Sequence, residues 1–299
     1  MTRHFLEVDD LDADELDQVL EAATIPWGEI SPVFGGRGAA LLFEKPSLRT
    51  RNSMELAVAQ LGGHPVTIFR DEAGIDSRET AEDVARVLSR YHAVIAARVF
   101  EHGLLDRLAS ASRVPVVNML SDDAHPCQTL ADLLTLRQRF GVLKGRVLGY
   151  VGDGNNVCTS LMLGSVMEQM EVRVATPSGY APPANVVERA RDRGDVIITE
   201  DPLAAVRGAD AIYTDVWASM GQEDETERRR QAFAGFTVDD DLMDAAAPDA
   251  VFLHCLPAHR GEEVSASVLE GPQSLVWQQA ENRLHAQRGL LYWLLAEDL

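Results

Sequence analysis

Several short stretches carry side chains suited to chemistry. In SDDAHPCQTLADLL, residues 121–134, His125, Cys127 and Gln128 share the turn that joins an acidic pair to a Leu-rich helical pattern. Imidazole and thiol are ligands of the kind that hold zinc. His125 and Cys127 stand only two residues apart, however, with no second C-x-x-C or H-x-x-x-H nearby, and Cys158 and Cys255 are remote in sequence. The spacing argues against a metal and leaves the purpose of this turn open. In EKPSLRTRNS, Ser47, Arg49, Thr50 and Arg51 crowd the start of an amphipathic run. Hydroxyls, guanidinium groups and free backbone N–H groups at a helix N-terminus make an anion site, with phosphate the natural guest. A plain capping turn with solvated arginines is the alternative.

GYVGDGNNVCTS places Gly152 and Gly154 after an apolar run, but Val157 stands where the third small residue of a dinucleotide fingerprint belongs. Asn155 and Asn156 read there as amide donors or as helix caps. DVWASMGQEDETERRR sets Asp215 just past a strand pattern, four residues before Ser219, where a carboxylate could hold a substrate ammonium. The mixed charges of residues 223–230 read as a solvated loop. VFLHCLPAHRGEE puts His254, Cys255 and Leu256 at the end of another apolar run. A nucleophilic Cys255 would need its pKa lowered by a partner such as His254, yet neighbouring strand residues face opposite ways. A buried structural thiol is the simpler reading. Arg283, in AENRLHAQ, reads by itself as a solvated helix residue.

The elements that must position these groups alternate along the chain. DLDADELDQVLEAA pairs Asp12 with Glu15 as a capping box and repeats apolar residues at Leu16, Val19, Leu20 and Ala23, which predicts a first helix. From residue 38 to 140, the unbroken runs AALLF, PVTIF, AVIAA and VPVVN read as parallel strands buried on both faces. Helical stretches separate them, one with Met54, Ala57, Val58 and Leu61 on its inner face and one with Val84, Val87, Leu88 and Tyr91. The pattern restarts after Gly145 with RVLGYVG, EVRVATP, DVIITED, AIYTDVW and AVFLHCLP. The expected fold is α/β, with two doubly wound parallel-sheet domains: residues 1–140, residues 146–274, and a C-terminal helix, 275–299, that packs back on the first. In such sheets ligands bind beyond the carboxyl ends of the strands, where the stretches above lie.

Composition narrows the possibilities. A length of 299 residues suits two domains of about 150 each, and 46% hydrophobic with 25% charged residues is ordinary for a globular chain. A net charge of −20 argues against nucleic acid as a partner, and with only two lysines, Lys45 and Lys144, any anion must be gripped locally by arginine. No apolar run reaches the roughly 18 residues of a spanning helix, and MTRHFLEVDD lacks a secretory pattern. A cytoplasmic protein without disulfides or membrane partner is expected.

Taken in order, SLRTR, HPCQ, GDGNN, DVWASMGQE, HCLP and AENR resemble the aspartate/ornithine carbamoyltransferase family, and SMGQE with HCLP points to its ornithine-using branch. The resemblance implies a first domain that binds carbamoyl phosphate, a second that binds L-ornithine, no metal or organic cofactor, and a homotrimer. It implies that Ser47, Leu48, Arg49 and Thr50 hold phosphate, and that Arg98 and His125 reach the carbamoyl group. Gln128 and the backbone at Cys255 and Leu256 would orient its nitrogen, while Arg283 contacts the donor. Asn156, Asp215, Ser219 and Met220 would read the amino acid, with Asp215 near its α-ammonium and Asn156 near its carboxylate. Arg98, His125, Cys255 and Arg283 are the implied catalytic set, and Cys127 is left as a packing residue. Two positions depart from the family pattern: Leu48 replaces a common Thr, and Gly74 falls where relatives often present Gln or His to a neighbouring subunit. The rival readings are a carbamoyltransferase for N-acetylornithine or putrescine, a non-catalytic ligand-binding relative, and a dinucleotide-dependent dehydrogenase that Val157 disfavours.

Overall fold

The computed structural model describes residues 2–218 and 225–296. In it the chain divides into two units, Met1–Leu134 with Glu281–Leu299, and Thr135–Ala280. Among the described residues no helix is long and apolar enough to cross a membrane.

The first unit begins with the capping box read from the sequence. The Asp12 carboxylate accepts the Glu15 N–H at 2.9 Å and the Glu15 carboxylate accepts the Asp12 N–H at 3.0 Å. These bonds satisfy two of the orphan donors that open α1 (Ala13–Thr24), whose Leu16, Val19, Leu20 and Ala23 are buried. Four strands, β1 (Gly38–Phe43), β2 (His64–Phe69), β3 (His92–Arg98) and β4 (Val116–Leu120), form a parallel sheet in the order β2-β1-β3-β4. The helices α2 (Leu48–Gln60), α3 (Arg70–Ala73), α4 (Ala81–Tyr91) and α5 (His102–Ala111) connect them, and α6 (Pro126–Phe140) follows β4. Because the chain leaves β1 toward β2 on one side and returns to β3 on the other, a crevice opens at the carboxyl ends of β1 and β3. Phe43 and Arg98 are paired in register there.

Burial departs from the sequence pattern in two places. Strand β1 is buried along nearly its whole length, as an inner strand must be, but β2 is only partly covered because it forms the sheet's edge. On α4 the buried face is Ala81, Val84 and Ala85, while Val87 and Tyr91 are exposed. Small side chains let α4 sit close to Leu104, Leu105 and Leu108 of α5, which turns Val87 outward and leaves Tyr91 beyond the packed turns. Gly74 caps α3 in the left-handed conformation, φ 59°, where a Cβ would press on the Arg78 guanidinium.

The last helix, α13 (Val276–Leu295), belongs to this first unit from Glu281 onward. It approaches α1 so closely that a Cβ on Gly289 would lie 2.6 Å from the Val19 carbonyl oxygen. Beside it the buried Arg288 donates to Gln60 Oε1 at 3.0 Å and to the Ala23 carbonyl at 3.3 Å. At the far edge of the sheet, Phe5 exchanges backbone hydrogen bonds with β4, donating to Val116 and accepting from Asn118, each at 2.8 Å.

In the second unit the strands β5 (Val147–Val151), β6 (Glu171–Ala175), β7 (Val196–Thr199), β8 (Ala211–Thr214) and β9 (Val251–His254) are all parallel, in the order β7-β6-β5-β8-β9. The connecting helices are α7 (Asn156–Met167), α8 (Ala184–Arg191), α9 (Pro202–Val206), α10 (Thr226–Ala232), α11 (Asp240–Ala245) and α12 (Ala266–Leu269). Helix α7 is buried from Val157 to Val166, which accounts for its lack of an obvious polar face. The switch point falls between β5 and β8, so the loop GDGNN and Asp215 flank one crevice. The two glycines of that loop have backbone reasons. Gly152 has φ 145°, and a Cβ on Gly154 would lie 2.3 Å from Pro182 N. The run 223–230 is not wholly the solvated loop its charges suggested. Its described part enters α10, where Arg229 is buried while Arg228 and Arg230 are exposed.

Gly154→Ala is expected to cost about 1–3 kcal/mol, because the methyl group must displace backbone and not a flexible side chain. Guanidinium chloride unfolding would measure it, and an unchanged midpoint would contradict the close approach.

Candidate functional site

In the first unit the crevice gathers cations. Ser47 caps α2 by accepting the Thr50 N–H at 3.2 Å. The buried Thr50 hydroxyl oxygen is reached by two guanidinium groups, Arg98 Nη1 and Arg283 Nη2, each at 3.1 Å. Arg98 ends β3 and Arg283 comes from α13, so strand register and the returning helix bring together residues 185 positions apart (283 − 98). Arg283 Nη1 also donates to Gln128 Oε1 at 2.6 Å, and Gln128 Nε2 donates to the buried Asp132 at 2.8 Å. Of the expected donor-site residues, Thr50, Arg98, Gln128 and Arg283 are thus one hydrogen-bonded group, joined to Ser47 through the cap.

His125, at the start of α6, is 4% exposed. Burial first, then the charges of Arg283 and Arg98, hold its pKa well below the ordinary 6.5. The imidazole is therefore neutral at physiological pH and offers one N–H donor without adding a third charge. Cys127 is fully buried, donates its thiol hydrogen to the Asn118 carbonyl at 3.3 Å, and has its pKa raised to about 12 by burial. It is a packing residue. The Leu48 side chain is 77% exposed, so what this position offers the crevice is its backbone N–H at the first turn of α2. Arg49 is half-buried beside it. Arg51 is engaged elsewhere, with Glu55 at 2.8 Å and over the Phe69 ring. Sequence reasoning overlooked Lys45, which is buried two residues after β1, paired with Asp122 and 4.2 Å from the centroid of the Phe100 ring. Its signal was available: it is one of two lysines and stands at a strand's carboxyl end.

In the second unit the crevice gathers acceptors. Asp215 is 3% exposed, and its two oxygens accept from Asn155 Nδ2 at 2.8 Å and from Cys255 Sγ at 2.9 Å. Asn155 also caps α7, its Oδ1 accepting the N–H groups of Val157 and Cys158 at 3.0 and 3.1 Å. The alternatives of amide donor and helix cap are thus both realised, one by each end of the amide. Asn156 is the first residue of α7 and follows Asn155 in sequence. Ser219 and Met220 lie outside the described residues.

Both ring nitrogens of His254 are engaged by groups other than the Cys255 thiol. Its Nδ1 accepts the Leu256 N–H at 2.8 Å, and its Nε2 faces the buried Glu263 at 3.1 Å. One nitrogen accepts and the other donates, which sets the neutral Nε2–H tautomer. The imidazole thus shapes the turn at Leu256, where φ is 59° and the Leu256–Pro257 peptide is cis, and is not a base for the thiol. Asp215, His254 and Cys255 present ligand atoms within 4.8 Å of one another, the only such group at this crevice among the described residues. With both ring nitrogens of His254 engaged, that donor set is a poor fit for a metal.

Across the same crevice lies a pair that sequence reasoning missed. Arg229 Nη1 donates to Asp153 Oδ2 at 2.8 Å and to the Trp217 carbonyl at 2.7 Å. Burial raises the Asp153 pKa to about 6, and the adjacent guanidinium offsets part of that rise.

The chain matches known proteins along nearly its whole length. A family profile described as the aspartate/ornithine carbamoyltransferase carbamoyl-P binding domain matches residues 3–138, and its companion, the Asp/Orn binding domain, matches residues 144–294. The chain belongs to the aspartate/ornithine carbamoyltransferase family. It is 55% identical to an ornithine carbamoyltransferase of Acidothermus cellulolyticus over 99% of this chain and 97% of that one. The solved ornithine carbamoyltransferase of Pyrococcus furiosus superposes with a TM-score of 0.95, at 46% identity over 99% and 98% of the two chains. A solved N-acetyl-L-ornithine transcarbamylase is more distant, with a TM-score of 0.87 and 30% identity over 97% and 99%. Within this carbamoyltransferase framework, the parallel sheets expected from the apolar runs are four- and five-stranded.

The depressed pKa of His125 has a consequence for stability. An unfolded histidine titrates near ~6.5, so below that pH the unfolded chain takes up a proton that folded His125 refuses. This contribution is fully present above the unfolded pKa and is lost as pH falls, by up to about 1.4 kcal/mol per unit. Denaturant midpoints at pH 7 and 5 should therefore differ more for the parent than for His125→Gln. Equal differences would show that His125 is protonated in the folded chain.

Proposed function

We propose that the chain transfers the carbamoyl group of carbamoyl phosphate to the side-chain amine of L-ornithine, giving L-citrulline and phosphate. The donor's phosphate sits on the N-terminus of α2, using Ser47, the Leu48 N–H, Arg49 and Thr50, with Arg98 and Arg283 neutralising its charge. The carbamoyl oxygen accepts from neutral His125, and Gln128 orients the amide nitrogen. The unprotonated amine attacks the carbamoyl carbon, and the positive donors stabilise the tetrahedral oxyanion. Phosphate then leaves with the bonding electron pair, and the amine nitrogen gives up its proton. No covalent bond to Cys255 is needed. Its thiol instead steadies Asp215.

Asp215 is the observation that carries the choice of acceptor. Among the described residues the Asp215 carboxylate is reached by a thiol and a neutral amide and by no cation, so an α-ammonium supplies the missing charge. Asn156, Ser219 and Met220 complete the amino-acid site in this reading. N-acetylornithine has a neutral amide where that ammonium would be, and putrescine lacks the carboxylate assigned to Asn156. L-Ornithine is therefore expected to exceed both by orders of magnitude in kcat/KM, and Asp215→Asn to narrow the gap by damaging ornithine use most. Comparable turnover of N-acetylornithine or putrescine would reduce the reading to a carbamoyltransferase of another amine.

The proposed working form is a cytoplasmic homotrimer. In its support, the first unit exposes Trp27, Leu48, Leu56, Phe69, Val87 and Tyr91, apolar side chains that neighbouring subunits would cover. Light scattering should give the mass of three chains, and a monomer mass at working concentration would sink this assembly.

A further inference from the structure

Arg229 occupies a place that none of the roles above accounts for. It stands in α10, seven-residue and short, yet it is 7% exposed while its neighbours Arg228 and Arg230 face out. Its contacts reach the loops that follow three strands. One donor holds Asp153, two residues past β5, and the Trp217 carbonyl, three residues past β8. The guanidinium carbon lies 5.1 Å from the centre of the Tyr180 ring, in the loop after β6. Nε donates to Glu225 at 3.1 Å, on the approach to α10.

The spacing of these contacts is what matters. Asp153 precedes Asn155 by two residues, and Trp217 follows Asp215 by two. The Asn155–Asp215 hydrogen bond and the Asp153–Arg229–Trp217 bridge therefore span the same switch point side by side. The first is a single bond from an uncharged donor at 2.8 Å. The second is a buried ion pair with a charge-assisted bond to a carbonyl, the stronger and more directional of the two. Trp217 is fixed further by stacking on Phe233 at 5.6 Å, and Phe233 meets Tyr180 at 4.8 Å. Trp217 and Glu225 also bracket Ser219 and Met220 in sequence, so one guanidinium holds both flanks of that stretch.

We infer that Arg229 is a positioning residue for the amino-acid substrate: by tying the loops after β5 and β8 together, it sets the distance between Asn155 and Asp215 and so the fit of the α-amino acid head. It touches no reacting atom. The inference rests on the ornithine reading of this site, and it predicts an effect confined to the acceptor.

The test is steady-state kinetics of the full-length chain with both substrates, for the parent, Arg229→Met and Arg229→Lys. Arg229→Met should raise KM for L-ornithine tenfold or more while KM for carbamoyl phosphate stays within twofold. Arg229→Lys, which keeps a charge for Asp153 but cannot hold three partners, should recover part of the loss. A KM for ornithine within twofold of the parent in Arg229→Met, or equal rises in both KM values, would overturn the inference. Should Arg229→Met not fold, Glu225→Gln decides, because Glu225 is half exposed and its replacement loosens only one arm. A two- to threefold rise in KM for ornithine supports the inference, and an unchanged value overturns it. A parent that forms no citrulline defeats the ornithine reading and the inference together, whereas an active parent with an unresponsive Arg229 defeats the inference alone.

Discussion

Two guanidinium groups converge on one hydroxyl oxygen, and the first unit is arranged around making that tolerable. Arg98 and Arg283 both lie 3.1 Å from Thr50 Oγ1, so like charges are held close in a buried crevice, an arrangement favoured only with anions nearby. The chain supplies part of the compensation through Gln128 and Asp132. The N-terminus of α2 adds a dipole of the same sign as the arginines. The neutrality of His125 follows from the same constraint. Two fixed positive charges and a dry environment leave no room for a third.

The second unit poses the inverse problem. Asp215 is buried, and its donors are an amide and a thiol, which orient its side chain. Both units use the same device of parallel sheets, a switch point between neighbouring strands and side chains set just past the strand ends. The first crevice gathers guanidinium groups and the second a buried carboxylate, on sheets of four and five parallel strands.

What the sequence disclosed follows from how local each signal is. The capping box of Asp12 and Glu15 needs only four residues to form, and the apolar runs of β1 and β3 declare their double burial by composition alone. The opening puzzle of HPCQ resolves into a hydrogen-bonding glutamine, a neutral histidine and a packed thiol once Arg283 is brought to it from 155 residues away. That long reach is also why Arg283 read as a solvated helix residue when seen alone. Arg229 was hidden for the same reason. Its partner Asp153 is 76 residues distant, and its immediate neighbours are exposed charges. Asn155 was noticed, but its bond to Asp215 could not be seen before β5 and β8 were known to be adjacent. Val87 and Tyr91 failed for a packing reason, since helical periodicity gives a stripe but not how closely a neighbouring helix settles against its small side chains.

The returning helix has a consequence for synthesis. Residues 135–280 are a continuous stretch, whereas the first unit needs both the segment up to Leu134 and the final turns from Glu281, which place Gly289 against α1 and Arg283 beside Thr50. During translation the β-sheet of the first unit emerges early and must wait, without its last helix, while the whole second unit is made. The ribosome thus releases a chain whose later unit is ready to fold first, and the charged grip on Thr50 can be completed only after nearly the entire polypeptide has left the exit tunnel.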